Sequence, residues 1–246
     1  MASTSTPRPA TTRDVLDRRS SRVSRGAGAP PGTTRRPREF GVFESLLSAD
    51  RPVIMEIKRC NAHGEDLLGG RSIADVVADV VADFEAAEAP CISVVTGRWF
   101  GGTEAMPREV VEITDRPVLR KDFITRRDQL LAAVRLGASA VLLTAGLLPR
   151  SSMNNLIAAS LSLGLTPFVE VTSEAQIDGV PNSGECVIAV NNKDITTGER
   201  DDGDVDRSVR LLPALTRSGT RCPVSASGID RPEVAARLLD AGFAVC

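Results

Sequence analysis

Residues 53–58 read Val-Ile-Met-Glu-Ile-Lys, an apolar run of buried-strand type that closes on Glu56 and Lys58. Side chains two apart on a strand share a face, so these two charges point the same way. Pro117-Val118-Leu119-Arg120-Lys121 and Thr166-Pro167-Phe168-Val169-Glu170 repeat the pattern, each ending in an ionisable group. Charge at the end of a core strand is costly unless it is paired or used. Where several parallel strands carry carboxylates and ammoniums at their C-terminal ends, those ends together make a reaction site.

Working outward from these runs, strand-like segments fall at 52–57, 91–95, 116–120, 139–144, 166–171, 187–191 and 222–226. Stretches with helical periodicity separate them, at 103–113, 126–136, 149–163, 173–178, 205–215 and 231–241. The clearest helix opens at Ser72-Ile73-Ala74-Asp75, a capping-box-like start with Asp in the Glu/Gln place, and runs to about Glu88. Strand and helix in strict alternation require parallel pairing through right-handed crossovers. Two topologies satisfy that, a doubly wound sheet and a closed barrel. No Gly-x-Gly-x-x-Gly turn follows the first strand, and the charged residues are spread over many strand ends rather than gathered at one switch point. Both facts favour an α/β fold of (β/α)8 TIM-barrel type. Seven strands are clear; the eighth should begin near Phe243-Ala244-Val245-Cys246, where the sequence ends. The expectation is a C-terminally truncated barrel, its eighth strand incomplete and its first and seventh strands left with open edges.

Composition agrees with one large α/β domain: 246 residues, 42% hydrophobic, 25% charged, formal net charge -2. Residues 1–38 differ from the rest, with nine arginines, two aspartates and many Ser, Thr, Pro and Gly. Such a segment cannot bury enough surface to offset its ordering entropy, so 1–38 reads as a flexible extension and 39–246 as the barrel. The near-neutral charge and the missing aromatic-basic motifs argue against a nucleic-acid partner. No apolar run reaches the ~20 residues of a membrane helix, so no membrane partner and a cytoplasmic location are expected. The five cysteines are scattered without paired spacing, which argues against a disulfide framework or a metal site. His63, the one histidine, reads as a loop residue.

The candidate chemistry lies in Glu56, Lys58, Lys121, Glu170 and Asn191. Two lysines and two carboxylates meeting in a partly desolvated mouth shift one another's proton affinities, which suits general acid and base catalysis. Ser225-Ala226-Ser227-Gly228-Ile229 follows the seventh strand and precedes a helix, where Ser227 and Gly228 could offer backbone N–H groups to a phosphate. Phe100-Gly101-Gly102-Thr103 follows the second strand, with Phe100 as an apolar wall for an aromatic ligand.

In order and spacing, these motifs resemble the indole-3-glycerol-phosphate synthase family from about Phe40 to the end of the chain. Glu56-Ile57-Lys58-Arg59 is similar to the family's first-strand motif. Ile92-Ser93-Val94-Val95-Thr96 with Phe100-Gly101-Gly102 is similar to the second, and Leu119-Arg120-Lys121-Asp122-Phe123-Ile124 to the third. Val169-Glu170-Val171, Asn191-Asn192-Lys193-Asp194 and Ser227-Gly228-Ile229 continue the series. The resemblance implies a carboxy-lyase of tryptophan biosynthesis that needs no cofactor. It would close 1-(2-carboxyphenylamino)-1-deoxyribulose 5-phosphate to indole-3-glycerol phosphate, losing carbon dioxide and water. It implies Lys121 as general acid, Lys58 near the substrate carboxylate and phosphate, and Glu56 and Glu170 for proton removal and dehydration. Asn191 would orient hydroxyls, and Arg59, Asn61, Phe100, Ser227 and Gly228 would bind substrate. The partner is a phosphorylated small molecule; a monomer and an association with other enzymes of the pathway are both open.

Four positions depart from the pattern. Asn61 stands where the family has serine, Ala226 where it has glutamate, Lys193 where it has arginine, and Gly97 where an acidic residue is frequent. With the expected missing strand, they leave an alternative: a weak or inactive paralogue or fragment that binds a phosphorylated ligand or a partner, or a homologue acting in secondary metabolism.

Overall fold

The computed structural model describes residues 41–194, 201 and 203–246. The extension expected over 1–38 lies outside the described residues. Seven parallel strands form one sheet in sequential order: β1 (Met55–Ile57), β2 (Ile92–Val95), β3 (Val118–Lys121), β4 (Ala140–Thr144), β5 (Thr166–Val171), β6 (Val187–Asn191) and β7 (Cys222–Ala226). Around them run α1 (Val42–Leu47), α2 (Ile73–Ala86), α3 (Ala105–Ile113), α4 (Arg127–Arg135), α5 (Arg150–Ser162), α6 (Glu174–Ile177), α7 (Val205–Ser218) and α8 (Pro232–Ala241). Each expected strand is present: β1 to β4 begin one to three residues later than expected, β3 ends one residue later, and β5 to β7 coincide with their expected bounds. Ser72 caps α2 as its sequence requires, its hydroxyl accepting from the Asp75 N–H at 3.1 Å.

Period-two alternation sorts every strand into two faces. Ile57, Ile92, Val94 and Val118 pack outward against α2 and α3, while Val141, Leu143, Val169, Ile188 and Val190 pack outward in the cluster under α4, α5 and α7. Leu119, Ala140, Leu142, Phe168, Val187, Ala189, Cys222 and Val224 point the other way and fill the barrel interior. The same alternation continues upward: past Leu119 lies Lys121, past Phe168 lies Glu170, past Ala189 lies Asn191. The charged groups are thus the top layer of an otherwise apolar interior.

The eighth strand is incomplete, as expected, but the edges beside it are not open at this level. The Ala244 N–H donates to Pro223 O at 2.9 Å, and Val245 O accepts from the Ser225 N–H at 3.1 Å. On the other side the Cys246 N–H donates to Pro52 O at 2.9 Å, and Cys246 O accepts from the Ile54 N–H at 2.8 Å. Ala244–Cys246 therefore bridges β7 to β1 through the lower barrel, because unpaired strand groups facing a core are costly. Those hydrogen bonds stop below the level of Glu56 and Ala226.

Helix α1 was not anticipated from the sequence. Its Val42 and Leu46 belong to the interior cluster, so it stops the barrel opening opposite the charged rim. The Ser45 hydroxyl donates to Pro90 O at 2.6 Å, and the Arg221 guanidinium lies 4.2 Å from the centre of the Phe43 ring. Leu46 is 1% exposed. Its replacement by Ala should therefore lower the unfolding free energy by about 2–4 kcal/mol, from lost burial plus a cavity. Urea denaturation checks this, and a loss under about 1 kcal/mol would mean that α1 is not part of the core.

Candidate active site

The rim cluster is organised by Glu56 at the end of β1. Its Oε2 accepts from Lys121 Nζ at 2.9 Å, and its Oε1 lies 3.3 Å from Lys58 Nζ. Ser93, on the neighbouring β2, adds a long hydroxyl contact of 3.4 Å to Oε2. Burial opposes ionisation of Glu56, but the attraction and hydrogen bonds of Lys121, and then of Lys58, outweigh it. The carboxyl is held below its ordinary value and is a charged group at neutral pH. Both lysines thus share one carboxylate, beside a rim position where Ala226 offers no second one.

Glu170 lies across the interior at the end of β5, 4% exposed, and lines the same cavity as Glu56, Lys58 and Lys121. That cavity measures about 330 Å³ and extends on one side to Lys193, Ala226, Ser227 and Gly228. A second, narrow compartment shares the four ionisable groups and is walled by Val95, Gly97, Phe100, Asp122, Phe123 and Leu142. The charged cluster therefore stands between an aromatic, apolar chamber and a polar turn rich in backbone N–H groups. This division was not legible from the sequence, which gives the residues but not which side each one faces.

Asn191 is fully buried at the end of β6, on the interior-facing series with Val187 and Ala189. Its Oδ1 accepts from the Lys193 N–H at 2.9 Å, whereas its Nδ2 has no hydrogen-bond partner among the described residues. The Thr144 hydroxyl, paired in register with Glu170, is in the same state. Buried donors without partners are uncommon, and at a reaction site they mark where a ligand or a water supplies the missing acceptor.

Arg59 and Asn61 lie farther out. Arg59 Nε is 3.6 Å from Asp66 Oδ1, within the β1–α2 loop. The Asn61 side chain folds that loop on itself: Oδ1 accepts from the His63 and Glu65 N–H groups at 2.9 and 3.1 Å, and Nδ2 donates to Glu65 Oε2 at 2.5 Å. It lines an open outer cleft of about 1140 Å³ with Lys58, His63, Lys193 and Gly228. His63 is exposed in this loop, as its sequence context indicates. The Phe100 turn is fixed by close approach: a Cβ on Gly102 would lie 2.4 Å from the Thr96 carbonyl carbon, and Gly101 sits at φ 65°.

Two supporting networks escaped the sequence reading because each joins residues far apart in the chain. Arg120, 5% exposed, donates to the Thr96 hydroxyl at 3.1 Å and to Asp122 Oδ2 at 3.2 Å, and Thr96 donates to Asp122 Oδ2 at 2.9 Å. This holds the ends of β2 and β3 together beside Lys121. The second network centres on Asn192, whose side chain joins Ser225, Ser208 and the Ser227 carbonyl.

Comparison with known proteins agrees with this geometry. The family model for indole-3-glycerol phosphate synthase matches residues 27–245. Over 213 residues the chain is 38% identical to indole-3-glycerol phosphate synthase 1 of Streptomyces coelicolor, covering 85% of this chain and 77% of that one. It is 32% identical over 202 residues to the indole-3-glycerol phosphate synthase of Thermococcus kodakarensis, covering 81% and 86%. Among solved structures it is similar to an N-acetylmannosamine-6-phosphate 2-epimerase from Clostridium perfringens, with a TM-score of 0.61 and 11% identity over 87% of this chain and 91% of that one. At that identity the likeness speaks for the barrel alone. On the sequence match along most of its length, and with the rim motifs in one place, the chain belongs to the indole-3-glycerol phosphate synthase family.

Proposed function

We propose that the rim cluster carries out the family's ring closure, converting 1-(2-carboxyphenylamino)-1-deoxyribulose 5-phosphate to indole-3-glycerol phosphate with loss of carbon dioxide and water. The observation that carries this reading is the two-sided cavity. A substrate with an aromatic ring at one end and a phosphate at the other matches in chemistry the compartment at Phe100 and Phe123, which at about 30 Å³ has to widen to take a ring, and the polar turn at Ser227 and Gly228. Its reacting carbons then fall between, at the lysines and carboxylates.

Roles follow from the electrostatics. Lys121, hydrogen-bonded to an ionised Glu56, serves as the acid that activates the ketone for attack by the ring carbon. Because Glu56 is held below the ordinary carboxylate range, it is a poor base at neutral pH and acts as the fixed counter-charge of both lysines. Proton removal then falls to Glu170, whose carboxylate also faces the positive charge that builds on the ring during closure. Lys58 lines the inner cavity and the outer cleft alike, a position suited to the substrate carboxylate. Asn191 Nδ2, which has no hydrogen-bond partner among the described residues, holds a substrate hydroxyl. Among the described residues no helix is long and apolar enough to cross a membrane. With this reading go a small phosphorylated substrate, a cytoplasmic setting and, beside the solitary enzyme, work next to other enzymes of tryptophan synthesis.

Incubation with the carboxyphenylamino substrate should generate indole fluorescence. Lys121→Ala should lower kcat by about 10²–10⁴-fold while the variant keeps its circular dichroism. Substrate binding without turnover by the unmodified chain would instead favour a ligand-binding paralogue.

Glu56 also gives a stability prediction. Its folded value is depressed, so its contribution is present above the ordinary carboxylate value and is lost as pH falls through the folded value. Glu56→Gln should cost about 1–3 kcal/mol at neutral pH. That difference should shrink as urea titrations move below the ordinary carboxylate range; a gap that stays constant into acid would contradict the assigned charge state.

A further inference from the structure

Ser227 has φ 67°, a left-handed conformation that L residues with a Cβ seldom adopt, and Gly228 follows at φ 68°. Glycine takes this conformation freely; serine needs something to hold it. Asn192 is placed to do so from the outer face of the sheet. Its Nδ2 donates to the Ser227 carbonyl at 3.0 Å and to the Ser225 hydroxyl at 3.0 Å. Its Oδ1 accepts from the Ser208 hydroxyl at 2.7 Å, and Ser208 and Ser225 lie 2.7 Å apart, oxygen to oxygen. Its backbone is equally committed, the N–H to Ala226 O at 2.9 Å and the carbonyl to the Asp204 N–H at 2.7 Å.

All of this is buried: Asn192, Ser208 and Ser225 have no exposed surface. One side chain thus joins the end of β6, the end of β7 and the entry to α7, where Gly203 lies so close that a Cβ on it would meet the Gly228 Cα at 3.3 Å. None of these contacts reaches the cavity itself. The Ser227-Gly228 turn that they hold does line it.

We propose that Asn192 is a positioning residue for phosphate: it clamps Ser227 in the left-handed conformation, so that consecutive backbone N–H groups of the turn face the cavity as a concave anion seat. Two successive residues at positive φ make a left-handed turn, in which neighbouring N–H groups point along one axis, as the unpaired N–H groups do at the first turn of a helix. Asn192 acts through Ser227 and touches no substrate. The proposal rests on the reading of the turn as the phosphate end of the site.

A double-mutant cycle tests it, with two readouts. Asn192→Ala should raise KM for the carboxyphenylamino substrate by about 10–50-fold with kcat changed less than about threefold, the signature of lost uniform binding. In a Ser227→Gly background the left-handed turn no longer needs a clamp, so adding Asn192→Ala should change KM by less than about threefold. The same pattern should hold for inorganic phosphate, titrated against each variant by phosphorus NMR line broadening. Asn192→Asp keeps the size and the acceptor for Ser208 but sets oxygen against the Ser227 carbonyl; it should lose phosphate as the Ala variant does, and replaces it if that variant does not fold. An equal loss in both backgrounds would reduce Asn192 to a general structural role and overturn the proposal, as would a fall in kcat at constant KM. If the chain binds phosphate with this pattern but closes no ring, the clamp stands and the synthase reading fails.

Discussion

A single carboxylate facing two ammonium groups sets the character of the whole rim. Without Glu56, Lys58 and Lys121 would be two like charges repelling each other in a partly desolvated mouth. With it, the lysines are held in fixed places, 3.3 and 2.9 Å from the same group. Burial alone would push the Glu56 proton back on; the paired lysines reverse that. The proposed acid and base line one cavity, Lys121 at the end of β3 hydrogen-bonded to Glu56 and Glu170 near the end of β5.

The barrel makes this pairing affordable in structural terms. Strand alternation packs Leu119, Phe168 and Ala189 into the interior, so the next inward positions, Lys121, Glu170 and Asn191, are brought to one end without any special loop geometry. The opposite end is stopped by Val42 and Leu46 of α1, and the sheet is drawn round by Ala244–Cys246 between β7 and β1. Function and stability thus occupy opposite ends of one apolar column, as parallel barrels generally arrange them.

Much of this was readable in the sequence, for a physical reason: the period of two that buries a strand also decides which charges meet. Glu56, Lys58, Lys121 and Glu170 were found that way, and they line one cavity. Helix α1 was missed, although Val42, Phe43, Leu46 and Leu47 have helical spacing, because six residues beside an arginine-rich arm give little periodicity to read. The Asn192 and Arg120 networks were invisible because hydroxyls such as Ser208 and Thr96 carry no pattern of their own; their meaning comes from partners 16 to 35 residues away for Asn192 and, in Thr96, 24 away for Arg120. Asn61 looked like a substrate contact by its place in a motif, yet its side-chain hydrogen bonds go to its own loop.

The central claim is that ring, reacting carbons and phosphate lie along one line through the Glu56–Lys121 pair. A crystal structure of the chain with indole-3-glycerol phosphate bound tests it directly. The account predicts the indole between Phe100 and Lys121, with the phosphate on the Ser227-Gly228 turn. A product lying in the outer cleft, with no contact to Lys121 or Glu170, would contradict it.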